Sequence, residues 1–375
     1  MSTPPIYLTE ADVGRLVTVK DAIATLEALF ATWGQPSTSD LPRQRARLAG
    51  GAFNLMGAAY GAKGVHGLKA YAGVKGAQFH TLLYSSLDGK LKAMIEADLL
   101  GQMRTGAASG VATKLLANAD AHTLAVIGTG KQSRAQIAAV CAVRPITRVK
   151  VFSRTAEHRE AYARSVEKDL GVEVLPASSA QACVAEADVV VTITKSAEPV
   201  CRAQWLAEGA HVNVAGANSN DRREVDAGTV LRAAVKATDH IEQAKVEAGE
   251  FRELVAAGKL AWSAIRELGE FVTGKAAICS CRRTPASSAR ERHRYGNSWH
   301  RFKPQPRPSA NSDCGAHRSG SASRRSSRDA RRFAKDRCLL PAATLLDYAS
   351  DSAASRPRRG RPLRPPLATL STARA

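Results

Sequence analysis

The stretch Thr123-Leu-Ala-Val-Ile-Gly128-Thr-Gly130-Lys-Gln-Ser133-Arg-Ala-Gln-Ile-Ala-Ala-Val140 decides the fold of this chain. An apolar run ends abruptly in glycines and a helical pattern begins at once, which predicts a strand, a tight turn and a helix. Gly128 permits the sharp turn, and Gly130 lets the backbone approach a pyrophosphate at the helix N-terminus. Ser133 replaces the third glycine of the fingerprint and is still small enough for close packing. The candidate phosphate contacts are Gly128, Thr129, Gly130, Gln132 and Ser133.

The following strand strengthens this interpretation, because a glycine pair alone also occurs in ordinary turns of α/β domains. Arg148-Val-Lys-Val-Phe-Ser153-Arg154-Thr155 ends where the adenine ribose of a dinucleotide is expected. NAD-binding folds usually carry Asp or Glu there, and a carboxylate would repel a 2′-phosphate. Arg154 flanked by Ser153 and Thr155 suits that phosphate instead. The sequence therefore favours NADP(H) over NAD(H), which remains possible; the ordinary alternative is that Arg154 is a solvated surface residue.

The rest of this region alternates strands and helices. Strands are predicted at 123–127, 148–152, 172–175, 188–193, 210–214 and 234–238, with helices at 155–169 and 180–185 among them. This pattern predicts the α/β class, with a Rossmann-type doubly wound parallel sheet. Thr192 and Thr194 end one of these strands, so we expect them to border the ligand crevice.

The first 118 residues follow a different pattern. Thr18 to Trp33 is predicted to be an amphipathic helix, and residues 43–60 and 65–96 to form a hairpin-rich sheet. Asp98 is the expected N-cap of a long helix through Ala117, with small residues on one face that permit close packing. We therefore expect an N-terminal α+β domain at 1–118, a dinucleotide-binding domain at 119–275, and a tail at 276–375.

The positive charge of the chain is concentrated in that tail. The net charge is +20 overall, but residues 1–275 hold 32 basic and 28 acidic side chains, whereas residues 276–375 hold 22 and 6. The tail is rich in Arg, Ser, Pro and Ala and lacks periodicity, which predicts disorder. It is either a basic arm that binds nucleic acid or the product of a shifted reading frame. We favour the second, non-native origin, because the composition breaks abruptly after Lys275; nucleic acid is thus not an expected partner.

The remaining composition indicates a cytoplasmic enzyme without metal. The seven cysteines are scattered and match neither a zinc site nor a disulfide framework. The N-terminus lacks the pattern of a signal peptide, and no apolar run reaches the length of a membrane span.

Several ordered motifs between residues 5 and 275 resemble the ornithine cyclodeaminase/mu-crystallin family. They are Gly67-Leu-Lys69, Arg104-Thr105-Gly-Ala-Ala-Ser, Val126 to Ser133, Ala187 to Thr194, Arg223-Glu224-Val-Asp226, Gly249-Glu250 and Glu267 to Lys275. The resemblance implies that the domain at 1–118 serves substrate binding and dimerisation. It further implies a homodimer in which each chain transfers hydride between a nicotinamide cofactor and a small amino or imino acid.

The resemblance also implies a substrate site. The positions that match Arg43, Lys69 and Arg104 surround the substrate carboxylate in the family, although Arg45 and Arg47 compete with Arg43 for the alignment. Fixed cations, and Arg above all, suit a carboxylate. Thr105 matches a phosphate contact, and His80 on a nearby strand is a further substrate-site candidate, or else a core histidine.

Two positions depart from the cyclodeaminase pattern. The family's proton-handling Asp is matched by Asn218, which can form hydrogen bonds but cannot act as a general base. The acidic residue that contacts the far amino group of ornithine is matched by Asn54. With Lys69, Arg104 and Asn218 as the catalytic set, we therefore expect a reductase of cyclic imino acids or an amino-acid dehydrogenase. The alternatives are an ornithine cyclodeaminase and a catalytically weak NADP(H)-binding protein.

Overall fold

The computed structural model describes residues 4–74 and 76–276. The expectations of disorder and of a non-native origin for the tail thus lie outside the described residues, apart from residue 276. Within the described ranges, no helix combines the length and the apolar character that a membrane crossing requires.

The N-terminal region forms a six-stranded sheet with the order β1-β6-β5-β4-β3-β2. All neighbours are antiparallel except β1 and β6. The strands are β1 (Ile6–Leu8), β2 (Thr38–Leu48), β3 (Gly51–Tyr60), β4 (Val65–Ala72), β5 (Phe79–Ser85) and β6 (Leu91–Glu96). Because side chains alternate along each strand, the sheet has two distinct faces. We call the face that carries Leu83, Ala93 and Ile95 the inner face, since these residues are buried in one apolar cluster with the following helices.

Three helices accompany this sheet: α1 (Glu10–Leu16), α2 (Val19–Ala31) and α3 (Asp98–Leu116). The predicted helix at 18–33 is confirmed as α2, with Thr18 in a capping box with Asp21. The predicted N-cap of α3 is wrong by one residue, because Ala97 holds that position and has no capping side chain. The carboxylate of Glu10 takes over the capping, since it accepts from the backbone N–H groups of Asp98 at 2.6 Å and Leu99 at 2.9 Å.

The second sheet has five parallel strands in the order β11-β10-β7-β8-β9. The strands are β7 (Thr123–Ile127), β8 (Arg148–Phe152), β9 (Glu173–Pro176), β10 (Val189–Thr192) and β11 (His211–Val214), with helices α4 (Ser133–Val143), α5 (Ala156–Leu170), α6 (Ala180–Val184) and α7 (Ala227–Arg232). The chain order reverses between β7 and β10, which confirms the predicted doubly wound sheet and leaves a crevice beyond Ile127 and Thr192.

The predicted strand at 234–238 does not join this sheet. Its last two residues form β12 (Ala237–Thr238), which pairs in parallel with β13 (Arg266–Glu267). The segment between them contains α8 (Ile241–Glu247) and α9 (Gly249–Ala256), and α10 (Leu268–Val272) follows β13. A Cβ on Gly269 of α10 would lie 2.8 Å from the carbonyl oxygen of Phe30, so this last element packs closely against the end of α2.

Helix α3 joins the two sheets through its glycines, as its small-residue face predicted. A Cβ on Gly106 would lie 2.3 Å from the carbonyl oxygen of Ala135 in α4, and a Cβ on Gly110 would lie 2.9 Å from the Ile23 side chain in α2. Larger residues would push these helices apart. Buried residues of α2, α3, α4 and α10 form one apolar cluster around this contact.

Candidate functional site

The loop after β7 has the geometry of a phosphate site. Gly128 has φ +114°, and a Cβ there would lie 2.5 Å from the carbonyl oxygen of Ile193, so no other residue fits. A Cβ on Gly130, in contrast, would meet no atom within 4 Å. The loop is thus open above Gly130, directly before the N-terminus of the 11-residue helix α4. A pyrophosphate fits this opening, because a helix N-terminus presents unpaired N–H groups and positive potential.

The side chain of Ser133 does not face that opening. Ser133 is fully buried, and its Oγ lies 2.5 Å from the Gly130 carbonyl oxygen and 2.6 Å from the Tyr162 hydroxyl. Its hydroxyl is therefore committed within the fold, and Ser133 is the small packing residue that its place in the fingerprint predicts. Thr129 is also buried, with its hydroxyl 3.1 Å from His158 Nδ1, whereas the buried amide oxygen of Gln132 has no partner among the described residues.

The end of β8 presents two arginines rather than one. Arg154 and Thr155 are exposed, and the buried hydroxyl of Ser153 has no partner in the described part of the chain. Arg159 in α5 donates to the Ser153 carbonyl oxygen at 2.6 Å, and its guanidinium lies 5.3 Å from the centre of the Phe152 ring. Arg159 is not among the residues that the sequence motifs predict for this strand end. Its position in the second turn of the helix that follows β8 is the signal that would have pointed to it.

Thr192 and Thr194 stand at the end of β10, as expected, but their hydroxyls have another partner. Both donate to the buried carboxylate of Glu224, which also accepts from the backbone N–H groups of Thr194 and Gly216. Thr192 is fully buried, so its side chain is not open to the crevice, and the hydroxyl of Thr194 is committed to Glu224. Burial raises the pKa of Glu224, and these four hydrogen bonds oppose that rise.

Lys69 lies on the inner face of the antiparallel sheet. Its Nζ is 5.4 Å from the centre of the Tyr71 ring and 5.1 Å from that of Phe79, and it nearly touches Gly101 of α3. The strand register pairs Lys69 with Thr81 and Ala70 with His80. His80 therefore points to the face opposite Lys69, because neighbouring side chains of a strand alternate.

The environment of Lys69 is electropositive. Burial, together with the positive charges of Arg104 and Arg43, lowers the pKa of Lys69 to about 8 from its ordinary 10.5. Within residues 4–74 and 76–276, neither Lys69 nor Arg104 forms a salt bridge or a side-chain hydrogen bond. Arg104 sits one turn beyond Gly101 on α3, and its side chain is exposed. In these two ranges, the two neighbouring cations thus lack an ion-pair partner, although Asp98 and Glu10 act on Lys69, and Asp239 and Glu247 on Arg104, from a greater distance.

Arg43 shares this neighbourhood but is already occupied. Its Nη1 donates to both carboxylate oxygens of Glu247, at 2.7 and 2.9 Å, and its backbone N–H donates to the Gln243 side chain at 2.9 Å. Arg45 also pairs with Glu247. The side chains of Arg43 and Glu247 are 9% and 10% exposed. The expected direct role of Arg43 in binding a carboxylate therefore requires that Glu247 release or share it.

The two asparagines that departed from the family pattern differ in exposure. Asn218 is exposed; its side-chain oxygen accepts from Arg222 at 3.3 Å, and its carbonyl oxygen accepts from Arg45 at 3.0 Å. Asn54 is buried on β3 and donates to the Ala52 carbonyl oxygen at 3.0 Å.

Thr105 follows Arg104 and precedes Gly106, which touches the first turn of α4. Its hydroxyl donates to the Gly101 carbonyl oxygen at 2.7 Å, so its oxygen can still accept but its proton is used. Lys131 of the glycine loop forms an ion pair with Asp98 at the start of α3. The phosphate loop and the cation-bearing helix are therefore directly connected.

Solved structures share this architecture. The Delta(1)-pyrroline-2-carboxylate reductase of Thermococcus litoralis, determined with NADH and L-proline, is 28% identical, with a TM-score of 0.68 over 72% of this chain and 87% of its own. The iminosuccinate reductase of Paracoccus denitrificans, determined with NAD+, is 26% identical, with a TM-score of 0.68 over 72% of this chain and 86% of its own.

Sequence comparisons agree with the structural ones. A Delta(1)-pyrroline-2-carboxylate reductase of Bacillus cereus is 35% identical over 190 residues, which are 50% of this chain and 58% of the relative. The alignment thus spans less than two thirds of that relative's length. The model of the ornithine cyclodeaminase/mu-crystallin family matches residues 4–284. This match covers most of the chain and all of the site described above, and the chain therefore belongs to the ornithine cyclodeaminase/mu-crystallin family.

Proposed function

We propose that this protein is an NAD(P)-dependent oxidoreductase that reduces a cyclic imino acid, or oxidises the corresponding amino acid, at the α-carbon. The observation that carries the proposal is a pair of cations, Lys69 and Arg104, that form no ion pair within the described residues and lie beside a glycine loop open to a phosphate. A carboxylate-bearing substrate would neutralise the first feature, and a dinucleotide would occupy the second. Relatives named for imine reduction support the same chemistry.

Arg104 and Lys69 have different roles in the proposed reaction. The Arg104 guanidinium binds the substrate carboxylate through N–H donors, and Lys69 adds a second positive charge. A bound nicotinamide supplies the hydride for the C=N carbon. Reduction also needs one proton at the imine nitrogen, which the Lys69 ammonium or a water held by it donates; a pKa of about 8 suits this transfer near neutral pH.

The cyclodeaminase reaction is disfavoured by the same site. By the family resemblance, Asn218 and Asn54 match positions at which that reaction needs carboxylates, and an amide neither accepts a proton as a base nor forms an ion pair with a second ammonium group. Ornithine would therefore lack both its base and its distal anchor.

We propose NADP(H) as the preferred cofactor. Arg154 is exposed and can pair with a 2′-phosphate, and Arg159 lies at the same strand end with a buried Nε that has no partner among the described residues. The hydroxyls of Ser153 and Thr155 add hydrogen-bonding capacity. The backbone N–H groups of Thr129, Gly130 and Gln132 would hold the pyrophosphate, while Gly128 would shape the turn, because its own N–H donates to the Phe152 carbonyl oxygen. Thr105 could donate to a phosphate only by releasing the Gly101 carbonyl oxygen.

We further propose a homodimer that forms through the outer face of the antiparallel sheet. Leu41, Leu48, Phe53 and Leu55 lie on that face, and each is more than a third exposed. A second copy of the chain would cover this apolar surface. Light scattering of the Phe53→Glu variant should show a monomer; an unchanged dimer would reject this face, as would a monomeric wild type.

The function is tested by following NADPH and NADH absorbance with pyrroline-2-carboxylate and piperideine-2-carboxylate. Oxidation of cofactor that depends on the imine supports the proposal. The absence of oxidation, together with tight NADPH binding, would support the binding-protein alternative instead. Conversion of ornithine to proline and ammonia would establish the cyclodeaminase.

A further inference from the structure

Glu224 is a fully buried carboxylate at the carboxyl end of the parallel sheet, and the proposed reaction does not use it. Its Oε1 accepts from the backbone N–H and the hydroxyl of Thr194, at 2.5 and 2.7 Å. Its Oε2 accepts from the backbone N–H of Gly216 at 2.6 Å and from the hydroxyl of Thr192 at 3.1 Å. Each oxygen therefore holds one backbone N–H group and one hydroxyl.

These hydrogen bonds join the ends of two neighbouring strands. Thr194 follows β10 and Gly216 follows β11, and a Cβ on Gly216 would lie 2.3 Å from the backbone nitrogen of Thr194. The segment after β10 also touches the glycine loop, because a Cβ on Gly128 would lie 2.5 Å from the carbonyl oxygen of Ile193. Glu224 thus holds the ends of β10 and β11 together, directly beside the end of β7.

Glu224 is itself fixed by its own backbone. Its N–H donates to the Glu250 carboxylate of α9 at 2.9 Å, and its carbonyl oxygen accepts from the backbone N–H groups of Val200 and Cys201, at 2.8 and 3.0 Å. The carboxylate therefore has a defined position within the protein alone, before any ligand binds.

The ends of β10 and β11 lie on the side of the crevice that the nicotinamide half of a dinucleotide would occupy. In the proposed complex, the pyrophosphate lies at the N-terminus of α4, at the switch point between β7 and β10. The adenosine half extends from there over the end of β8, where Arg154 and Arg159 lie. The other half must then extend in the opposite direction, over β10 and β11.

We propose that Glu224 is a positioning residue for hydride transfer: its carboxylate holds the loops after β10 and β11 in the arrangement that receives the nicotinamide ring. This inference rests on the nicotinamide cofactor of the proposed function. Hydride transfer depends steeply on the distance between the reacting carbons. A wall that is already ordered in the free protein also avoids the entropic cost of ordering it when the cofactor binds.

Glutamine cannot replace this carboxylate, although it has the same shape. Both oxygens of Glu224 accept from a backbone N–H group, whereas an amide nitrogen accepts no hydrogen bond. In either orientation of the amide, Glu224→Gln therefore sets two donors against each other and releases the backbone of either Thr194 or Gly216.

Glu250→Gln is the matched control. It also removes a buried carboxylate from the same network, but its amide oxygen can still accept the single N–H group of Glu224. The contacts of Glu224 with the two strand ends should therefore persist in this variant.

The test measures dissociation constants for NADPH and for 2′-phospho-ADP-ribose, which is NADP without its nicotinamide. If the wild type prefers NADH, the pair is NADH and ADP-ribose. We expect Glu224→Gln to weaken the dinucleotide about tenfold more than the ligand without nicotinamide, and Glu250→Gln to leave their ratio unchanged. A merely structural role would weaken both ligands alike. An unchanged ratio in Glu224→Gln, or an equal change in both variants, would overturn the inference.

Failure of the proposed function has a different signature. A wild type that binds neither ligand of either pair would reject the nicotinamide cofactor and this inference with it, whereas unchanged ratios in a wild type that binds both reject the role of Glu224 alone. Hydrogen exchange of the free wild type decides the matter if Glu224→Gln does not fold. The amides of Thr194 and Gly216 should be protected before NADPH is added and gain little from it. Protection that arises only with NADPH would show that the cofactor, and not Glu224, orders these loops.

Discussion

The carboxyl edge of the parallel sheet and the inner face of the antiparallel sheet differ in how far apart along the chain their functional residues lie. The cofactor edge is built from the loop at 128–133 and the residues at 153–159, which are consecutive strand–turn–helix units. The inner face brings Lys69 of β4 and Arg104 of α3 together with Arg43, whose partner Glu247 is 204 residues away. Local steric rules dictate the first region, whereas the second exists only once the tertiary fold has formed.

The largest effect expected at the cofactor edge comes from Gly128→Ala. The added Cβ meets the Ile193 carbonyl oxygen and forces a non-glycine residue to φ +114°. Strain of this kind costs several kcal/mol, so binding of NADPH should fall by about two orders of magnitude or more. Fluorescence titration with NADPH measures the loss. Gly130→Ala is the matched control for apo folding, because its Cβ meets open space; equal NADPH affinity of both variants and the wild type would disprove the steric argument.

At the inner face, the largest effect should come from Lys69. Lys69→Met removes the cation and the proton donor, and kcat/KM should fall by about 10³-fold. Lys69→Arg keeps the charge but holds its proton too tightly to donate it, so its KM should stay near that of the wild type while kcat falls. A Lys69→Arg variant with the kcat of the wild type would assign Lys69 to binding alone.

The lowered pKa of Lys69 also predicts how stability depends on pH. The folded protein releases this proton at about pH 8 and the unfolded chain at about 10.5, so the unfolded state binds more protons between these values and wild-type stability rises with pH there. Lys69→Met lacks this dependence. It should be more stable than the wild type below pH 8, by on the order of 3 kcal/mol, with the difference vanishing near pH 10.5. Urea unfolding at pH 7 and 10 measures it; a difference that does not depend on pH would show that the Lys69 ammonium is not desolvated.

A smaller effect is expected where the cofactor edge meets the adenosine. Arg154→Gln and Arg159→Gln should each weaken NADPH by about tenfold while leaving NADH nearly unchanged, because each removes one cation from the 2′-phosphate. Dissociation constants for both cofactors give the ratio. Arg164→Gln, in the same helix, is a suitable control, since Arg164 is exposed and makes no described contact at this strand end. Equal weakening of NADH and NADPH would reject an NADP-specific site.

The smallest expected effect tests a contact that joins the two ends of the N-terminal region. Glu10→Gln weakens the cap of α3, because a neutral amide accepts the N–H groups of Asp98 and Leu99 less strongly than a carboxylate does. The free energy of unfolding should fall by about 1 kcal/mol, which urea titration measures. Glu27→Gln, which weakens an exposed ion pair with Lys114, should cost less.

The sequence predicted the two regions unequally, for the same physical reason that separates them. Glycines, β-branched runs and helix caps act over a few residues, so the order of elements and the turn at Gly128 were predictable. The sequence could not predict which hydroxyl groups remain free to bind a ligand. The positions of Thr192 and Ser133 predict contacts with a ligand. Their hydroxyls instead form hydrogen bonds with Glu224 and Tyr162, which lie 32 and 29 residues away along the chain. The face of the sheet on which His80 lies could not be predicted from the sequence, because it is set by the register of β5 with β4 and β6.

Partners from distant segments explain the other errors. Asp98 has a side chain typical of an N-cap, yet the carboxylate of Glu10 in α1 accepts the first N–H groups of α3 in its place. Arg43 has the charge that a carboxylate needs, yet Glu247 supplies a carboxylate from within the chain. In each case the residue has the chemistry that its predicted role requires, but a contact from a distant segment, which no local pattern reveals, determines what it binds.

The contact between Gly106 and Ala135 fixes the distance between helices α3 and α4. Arg104 and Thr105 precede that glycine on one helix, and the glycine loop precedes that alanine on the other. The spacing between the proposed carboxylate-binding side and the proposed cofactor-binding side is therefore set by the contact of one backbone with another. No flexible side chain intervenes whose rotamer changes would lengthen or shorten it. Since a displacement of about 1 Å between reacting groups can cost two orders of magnitude in rate, a single methyl group at residue 106 measures how finely the reaction depends on that distance.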